Sequence, residues 1–384
     1  MSLDLFSFLE KKPLFYDEID YERFPRIFSR LRPFFPSLKV VHIVGTNAKG
    51  TTGRFLATAL HKEGLHVGHY TSPHIMRFEE RIWIDGKEIE TKVLQSAHAK
   101  LQNMLTSQES EALSYFEYTT LLAMLCFEGC EYVVLEAGLG GEHDATAVFE
   151  KNLTVVTPID KDHEAFLGET IEAIATTKLN ASAPLLLLAK QHHFQVYEIA
   201  REIAKKKGAK LYLSEAMLSE KVHAELFACV KKEHMPSYMI ANMQTAAAAM
   251  LLLGKTPRKE SFCDARLFGR MSRILPNVTV DVGHNPLAAS SILKELEGKK
   301  VVLVYNSFKD KEYESILRIL RPVLKRVEIL SVDSQRIEEK EKLQKTLMEL
   351  AIQYNDFNTI EQSEEYLVFG SFSVVEEFLK RIDA

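Results

Sequence analysis

Short apolar segments alternate with longer mixed segments along this chain, and the alternation is the first structural signal. Runs rich in valine, isoleucine and leucine occur at LKVVHIVGT, EYVVLEAG, NLTVVTPID and PLLLLAK. Such runs are typical of parallel strands that are covered on both faces. Because helical segments such as TIEAIATTKLNA separate them, the pattern predicts an α/β fold with a mostly parallel sheet.

The same alternation resumes after the charged, irregular stretch TPRKESFCDARLFGR. There, VTVDVGHNP and KKVVLVYNS are predicted strands. The predicted helices lie near Ala288–Leu296, Lys311–Leu320 and Glu338–Tyr354. A chain of 384 residues exceeds the roughly 250–300 residues that one core supports, so we expect two domains. Residues 1–262 would form a larger α/β domain, and residues 263–384 a smaller α/β domain.

Composition excludes several classes of protein. Hydrophobic residues make up 46% of the chain and charged residues 26%, which is an ordinary globular balance. The 48 Lys and Arg residues are outnumbered by 53 Asp and Glu, giving a net charge of −5. Because nucleic-acid binding depends on an excess of basic residues, we expect no nucleic-acid partner.

Localisation follows from the apolar stretches and the cysteines. The longest aliphatic stretch, Pro184–Ala189, is far shorter than the roughly 20 residues that a spanning helix needs, and the first twelve residues do not resemble a signal peptide. The four cysteines form no metal-type pairs, so we expect buried thiols in a reducing cytoplasm. They are Cys126, Cys130, Cys229 and Cys263.

The segment GTNAKGTT joins a predicted strand to a predicted helix, which is where α/β proteins bind phosphate. It consists of Gly45, Thr46, Asn47, Ala48, Lys49, Gly50, Thr51 and Thr52. Lys49 could reach the β- and γ-phosphates, and the Thr51 hydroxyl could bind Mg²⁺. The general Walker pattern is not met, because Gly50 separates Lys49 from Thr51. A turn with a surface lysine is therefore the alternative.

Four further polar residues lie near the ends of predicted strands or in the next helix. Ser72 could face a nucleotide or metal, or could be a simple turn serine. Glu136 follows a buried strand and precedes glycines, which favours an Mg²⁺ ligand over a solvated carboxylate. His163 could bind metal through a neutral imidazole, and Lys178 has no evident role by itself. For both, a surface position is the more common alternative for a lone histidine or a lone helical lysine. In the second domain, Gly269-Arg270 and DVGHNP could close over a nucleotide.

Taken in order, six motifs resemble the folylpolyglutamate synthase/dihydrofolate synthase family of the Mur ligase superfamily over nearly the whole chain. They are GTNAKGTT, TSPHIMRFEERI, LEAGLGGEHDATAV, IDKDHEAFLGETIEAIATTK, LFGRMSRILPNVTVDVGHNP and GSFSVVEEFL.

The resemblance implies a role for each matched residue. Lys49 and Thr51 would bind ATP phosphates and Mg²⁺. Ser72 and Glu136 would hold one Mg²⁺, and Glu136 with His163 a second. Lys178 matches a lysine that is carbamylated in the family. Catalytic roles would fall to Lys49, Lys178 and His163.

The rest of the ATP site would come from outside the loop. Asn242 lies in a helix where the family has an asparagine near the adenine, with Gln244 beside it. Arg270, Asp281 and His284 match second-domain residues that grip ATP when the domains close.

The implied activity is ATP-dependent ligation of L-glutamate. The acceptor would be dihydropteroate, the γ-carboxylate of a reduced folate, or both, activated as an acyl phosphate. The resemblance implies two Mg²⁺ ions. It also implies a larger P-loop-type ATPase domain over residues 1–262 that binds ATP and folate, and a smaller α/β Rossmann-like domain over residues 263–384 that binds glutamate and closes over ATP. We expect a cytoplasmic monomer. The alternatives are another amide ligase of the Mur superfamily and a nucleotide-binding regulatory protein that has lost turnover.

Departures from the family pattern affect several positions. Ala48 replaces a loop glycine, which requires a negative φ at that position. Thr177 replaces the glutamate before Lys178. An aromatic group near the amino terminus could line a pterin pocket or simply pack between domains. It comprises Phe15, Tyr16, Tyr21 and Phe24.

Overall fold

Two compact units make up the protein in a computed structural model that describes residues 4–13 and 20–382. The first comprises the described residues up to Met235 together with Met239–Arg266. The second comprises Pro236–Tyr238 and the described residues from Leu267 on. Phe15 and Tyr16 lie outside the described residues.

The first unit is built around an eight-stranded sheet of order β4-β3-β2-β5-β1-β6-β7-β8. Its strands are β1 (Lys39–Val44), β2 (Val67–Tyr70), β3 (Ile82–Ile84), β4 (Lys87–Glu88), β5 (Tyr132–Glu136), β6 (Leu153–Val156), β7 (Leu185–Leu188) and β8 (Lys210–Leu213). Its helices are α1 (Leu5–Leu9), α2 (Arg23–Leu31), α3 (Lys49–Lys62), α4 (Thr91–Met104), α5 (Ser107–Ala112), α6 (Tyr115–Cys126), α7 (Glu164–Leu167), α8 (Ile171–Leu179), α9 (Phe194–Lys207), α10 (Glu220–Lys232) and α11 (Met239–Leu252).

Strand β1 lies in the middle of this sheet, and four of its six side chains are apolar. Five of its six residues are buried, and it pairs in parallel with both β5 and β6. Strands β2, β3 and β4 form antiparallel pairs at one edge. The prediction of a mostly parallel α/β sheet is therefore confirmed, with an antiparallel edge that the sequence pattern did not indicate.

The second unit has a six-stranded sheet of order β13-β12-β11-β14-β10-β9. Its strands are β9 (Ser272–Leu275), β10 (Val278–Asp281), β11 (Val301–Tyr305), β12 (Leu324–Ile329), β13 (Tyr354–Asp356) and β14 (Tyr366–Phe369), and its helices are α12 (Pro286–Glu295), α13 (Tyr313–Leu320), α14 (Lys340–Glu349) and α15 (Phe372–Ile382). All pairs are parallel except β9 with β10.

The helix predicted over Glu338–Tyr354 is shorter than expected. It ends at Glu349 because Ala351 takes a positive φ of 50° and the Ile352 N–H bonds back to the Leu347 carbonyl at 2.9 Å. The chain then turns into β13, so Tyr354 belongs to a strand.

The expectation of four buried thiols is wrong for two of the cysteines. Cys229 on α10 and Cys263 form a disulfide, with Cα atoms 5.7 Å apart. Local pattern does not reveal this pair because the two residues are 34 positions apart in the chain. Cys126 is a buried free thiol and Cys130 a partly buried one.

Among the described residues, no helix combines the length and apolar character needed to cross a bilayer. This agrees with the short aliphatic runs in the sequence.

Candidate active site

The candidate site of the first unit lies where parallel strands end. Strands β1, β2, β5 and β6 run in the same direction, so their carboxyl ends share one edge of the sheet. The glycine loop follows β1, Thr71 and Ser72 follow β2, Glu136 ends β5, and the segment that carries His163 follows β6. This edge is where open α/β sheets bind ligands.

The glycine loop rests on the segment after β6. The N–H groups of Thr46 and Asn47 donate to the Pro158 carbonyl at 3.0 and 3.2 Å, and the Thr46 hydroxyl donates to the Asp160 carbonyl at 2.9 Å. Gly45 has a φ of 146° and packs directly on Thr157, so a Cβ there would clash. These contacts fix the loop at the start of α3, where backbone N–H groups favour an anion.

The backbone conformation of Ala48 differs from the one expected from the sequence. It adopts the left-handed conformation, with φ of 67° and ψ of 4°, where a negative φ was expected. The chain must reverse sharply between the loop and α3, and glycine makes this turn without steric cost. The residue therefore holds local strain beside the site, which is where strained backbone is commonly found.

Lys49 and Lys178 converge on one backbone oxygen. Their Nζ atoms donate to the Gly45 carbonyl at 3.2 and 3.0 Å, and Lys49 also donates to the Thr46 carbonyl at 3.2 Å. Lys178 is only 3% exposed, so the surface alternative is wrong for it. Burial, reinforced by the charge of Lys49, lowers the pKa of Lys178 to about 7. When both amino groups are protonated they repel each other, and an anion bound between them would offset this repulsion.

Glu136 is a buried carboxylate at the end of β5, 5% exposed. Its Oε2 accepts hydrogen bonds from the Thr71 hydroxyl and from the Ser72 backbone N–H, the latter at 3.3 Å. The Ser72 hydroxyl, which the sequence suggested could face a nucleotide or metal, makes no hydrogen bond to Glu136. Within the described part of the chain, no lysine, arginine or histidine forms an ion pair with Glu136. The solvated alternative for Glu136 is therefore wrong.

His163 begins α7 in a left-handed conformation, with φ of 53°. Its backbone N–H donates to Asp162 Oδ1 at 2.9 Å, and its Nε2 lies 3.7 Å from Asp162 Oδ2. Its side chain is 35% exposed. In residues 4–13 and 20–382, no three His, Cys, Asp or Glu side chains form a group that could hold a metal unaided.

A second glycine segment brings two helices to this edge. A Cβ at Gly141 would lie 2.8 Å from the Lys178 carbonyl oxygen, and one at Gly138 would lie 2.7 Å from the Phe116 ring of α6. Asp144 holds the segment by accepting N–H bonds from Leu139 and Thr146, both at 2.9 Å. Burial raises the pKa of Asp144. The sequence pattern did not indicate this structural role for Asp144.

In the second unit, Asp281 lies at the carboxyl end of β10 and is 4% exposed. Its carboxylate accepts from the N–H groups of Gly283 and Met271 at 2.8 and 2.9 Å and from the Tyr238 hydroxyl at 3.3 Å. Burial raises the pKa of Asp281, and the charge of Arg270 opposes this shift. His284 follows with its Nδ1 3.1 Å from the Val282 carbonyl.

The chain is similar to known proteins over nearly its whole length. It shares 39% identity with the structure of Helicobacter pylori folylpolyglutamate synthetase, covering 99% of this chain and 98% of that one, with a TM-score of 0.82. For Escherichia coli FolC in complex with DHPP and ADP, the identity is 25%, the coverage 98% and 96%, and the TM-score 0.82. The Haemophilus influenzae dihydrofolate synthase/folylpolyglutamate synthase is 29% identical over 97% of this chain and 95% of its own. No family model matches.

The chain belongs to the folylpolyglutamate synthase/dihydrofolate synthase family. Its enzymes are ATP-dependent ligases, which fits a site built to receive phosphate. The resemblance and the two-domain α/β fold predicted from the sequence are both confirmed.

Gln191 is a second residue at this edge, after Asp144, that the sequence did not indicate. Gln191, which is 7% exposed, accepts from the Ile159 N–H at 2.9 Å and donates to the carbonyls of Thr157 and Ala189 at 3.3 and 2.9 Å. It thus fixes the segment on which the phosphate loop rests. A lone glutamine after a strand carries no local signal of this role.

Other predicted residues lie away from these contacts. Asn242 is buried on α11, a helix that packs against α3, and Gln244 bonds through its amide to His223 at 2.8 Å. Phe24 is buried in a core cluster within the first unit, and Tyr21 is 52% exposed. The pterin pocket and the packing between domains both stay predictions.

We predict that Ala48→Gly stabilises the protein by about 1 kcal/mol, because glycine adopts the left-handed conformation freely. The control is Ala57→Gly inside α3, which should destabilise by about 1 kcal/mol or more. Denaturant unfolding measures both. A destabilised Ala48→Gly variant would contradict the strain assigned to this turn.

Lys178 should make stability depend on pH. Its pKa falls on folding from 10.5 to about 7, so the unfolded chain binds more protons between these values. Stability from this group must therefore increase as pH rises through that window. Melting temperatures in CO₂-free buffer at pH 7 to 9 should rise more for the wild type than for Lys178→Met. If the melting temperatures of the two proteins rise equally with pH, the lowered pKa of the buried Lys178 amine is refuted.

Proposed function

We propose that this enzyme joins L-glutamate to a pterin-type carboxylate at the expense of ATP. The acceptor is dihydropteroate, giving dihydrofolate, or the γ-carboxylate of a reduced folate, giving a longer glutamate chain, or both. The observation that carries the proposal is the convergence of Lys49 and Lys178 on Gly45 beside the buried Glu136. The relatives support it, since the E. coli structure contains ADP and DHPP.

The glycine loop is assigned to the ATP phosphates. Its N–H groups and the ammonium of Lys49 supply donors and positive charge at the start of α3, and a bound polyphosphate would draw Lys49 away from the backbone carbonyls. We further assign Asn242 to the adenine and Arg270, Asp281 and His284 to ATP. For these four residues the support is family resemblance together with the burial of Asn242 and Asp281.

The donor set fits Mg²⁺. Glu136 offers a buried carboxylate with no cationic partner among the described residues, and the Thr51 hydroxyl makes no hydrogen bond within them. Mg²⁺ is usually held by one or two carboxylates together with substrate phosphates and water. We assign Thr51, Ser72 and Glu136 to one ion and Glu136 with His163 to a second. When bound, the ions neutralise charge on the phosphates.

The reaction follows from these assignments. An oxygen of the acceptor carboxylate attacks the γ-phosphorus of ATP, the bond to the β-γ bridging oxygen breaks, and ADP leaves. The amine of L-glutamate then attacks the acyl carbon, and a tetrahedral intermediate expels phosphate and loses a proton to form the amide. Lys49 stabilises charge on the moving phosphoryl group, so no side-chain nucleophile is needed.

We propose that Lys178 carries a carbamate in the active enzyme. A pKa of about 7 leaves a large share of the amine neutral at physiological pH, and the neutral amine is the form that reacts with CO₂. The carbamate replaces a buried cation beside Lys49 with an anion, so repulsion between the two lysines becomes attraction.

The second unit, with the expected domain 263–384, is assigned to L-glutamate as well as to ATP. All assigned residues belong to one chain, so the proposed enzyme works as a monomer. We place it in the cytoplasm, where ATP and reduced folates are present together.

The assay that tests this function offers dihydropteroate and tetrahydrofolate side by side with MgATP and L-glutamate. We expect glutamate-dependent phosphate release with dihydropteroate. Lys49→Ala should lose more than a hundredfold of this rate, because a charged contact to a transferring phosphoryl group is worth several kcal/mol.

Lys62→Ala is the matched control for that assay. Lys62 lies at the other end of α3 and pairs with Asp264, so its loss should leave the rate nearly unchanged. No turnover by the folded wild type with either acceptor would refute the proposed function. Substantial activity in Lys49→Ala would refute the phosphate-loop assignment.

The carbamate is tested with ¹³C-bicarbonate and NMR. The wild type should show a carbamate resonance that Lys178→Met lacks. Lys151→Met is the control, because Lys151 is another amine whose pKa burial lowers, to about 8, and it should keep the signal. A spectrum without carbamate, in protein that is active in CO₂-free buffer, would contradict the modification.

A further inference from the structure

Arg81 is a buried guanidinium outside the residues assigned so far. It ends a short 3₁₀ helix, Phe78–Arg81, and is 7% exposed. Its Nε donates to His74 Nδ1 at 2.7 Å, and its guanidinium lies 5.8 and 5.3 Å from the ring centres of Phe78 and Tyr115. A buried arginine is rarely left without a compensating anion.

The neighbouring groups do not supply that anion. His74 Nδ1 accepts the hydrogen bond from Arg81 Nε, so this ring nitrogen carries no proton and His74 supplies no negative charge. Glu80 is engaged by the N–H groups of residues 75, 76 and 77, and Glu79 accepts from the Thr91 hydroxyl. Across residues 4–13 and 20–382, no carboxylate lies within ion-pair distance of Arg81.

The terminal guanidinium nitrogens of Arg81 are not enclosed by the protein. Among the described residues, the fully enclosed side-chain polar atoms without a hydrogen-bond partner include atoms of His42, His69 and Tyr305. The terminal nitrogens of Arg81 are not among them, although only its Nε is hydrogen-bonded to the protein. They therefore remain accessible to a ligand while the rest of the side chain is enclosed.

Its position relates this open cation to the active site. The Arg81 carbonyl accepts the Thr71 N–H at 2.9 Å, and the Thr71 hydroxyl donates to Glu136. Tyr115, on which the guanidinium packs, is the first residue of α6. The guanidinium therefore lies next to the segment after β2 that contacts Glu136.

We propose that Arg81 binds a carboxylate of the pterin-type acceptor substrate through its terminal nitrogens. This inference rests on the proposed function. The ligand chemistry is an oxyanion that a planar fork of donors can accept, and the acceptor carboxylate is the source to which we commit. A phosphate of ATP is the other source, and the experiment separates the two.

The test compares Arg81→Gln and Arg81→Lys with Arg77→Gln. Arg77 is exposed and pairs with Glu88 on the surface, so it controls for loss of charge nearby. Fluorescence titration measures binding of dihydropteroate and of its neutral carboxamide, and calorimetry measures binding of MgADP and of a non-hydrolysable MgATP analogue. Steady-state kinetics give kcat and the KM of each substrate.

We expect Arg81→Gln to weaken dihydropteroate binding at least tenfold and to raise its KM, since hydrogen bonds to charged groups are strong. Binding of the carboxamide and of both nucleotides should stay within twofold of the wild type. Arg81→Lys keeps the positive charge but lacks the planar guanidinium donors. Its affinity for dihydropteroate should therefore fall by less than that of Arg81→Gln. This variant also keeps the test decisive if Arg81→Gln does not fold. Arg77→Gln should behave as the wild type.

Any of four outcomes would overturn the proposal. Equal loss for dihydropteroate and its carboxamide would mean that Arg81 only packs. A loss confined to the ATP analogue would assign the anion to the nucleotide. If Arg81→Gln binds dihydropteroate as tightly as an active wild type does, the role of Arg81 is refuted and the proposed function stands. Wild-type protein that binds MgADP but not dihydropteroate would refute the proposed function, and this inference with it.

Discussion

Two amino groups that share the carbonyl oxygen of Gly45 are the constraint on which this site depends. Lys49 and Lys178 each donate to that oxygen, and burial brings the pKa of Lys178 down to about 7. Like charges this close in a poorly solvated place are costly unless an anion joins them or one group is neutral. The proposed phosphate binding at the loop and the proposed carbamate on Lys178 would each relieve that cost.

The backbone around this point is fixed from several sides. Thr46 bonds to the segment after β6, Gln191 holds the same segment from β7, and Gly141 lets α8 approach closely enough to insert Lys178. Each support comes from a different strand end of one parallel edge. The sheet thus assembles the site from segments that are far apart in the sequence.

Much of the fold could be predicted, because the central strands are continuous apolar runs and their helices are strongly patterned. The edge strands β3, β4 and β13 could not, since they are short and partly polar. Glycine and strand-end motifs located the site, and the family resemblance assigned its roles. Ala48, Thr71 and Gln191 show the limit, because their conformation or contacts depend on residues distant in the chain. The pairing of Cys229 with Cys263 has the same cause.

The central claim is that the acceptor carboxylate is activated by phosphoryl transfer at this site. The most direct measurement starts from dihydropteroate with ¹⁸O in its carboxylate and follows the label by ³¹P NMR during turnover with MgATP and L-glutamate. The account predicts one ¹⁸O atom in each inorganic phosphate released, because the attacking oxygen leaves with the phosphoryl group. Label appearing in AMP, or phosphate released without label while the amide forms, would contradict it.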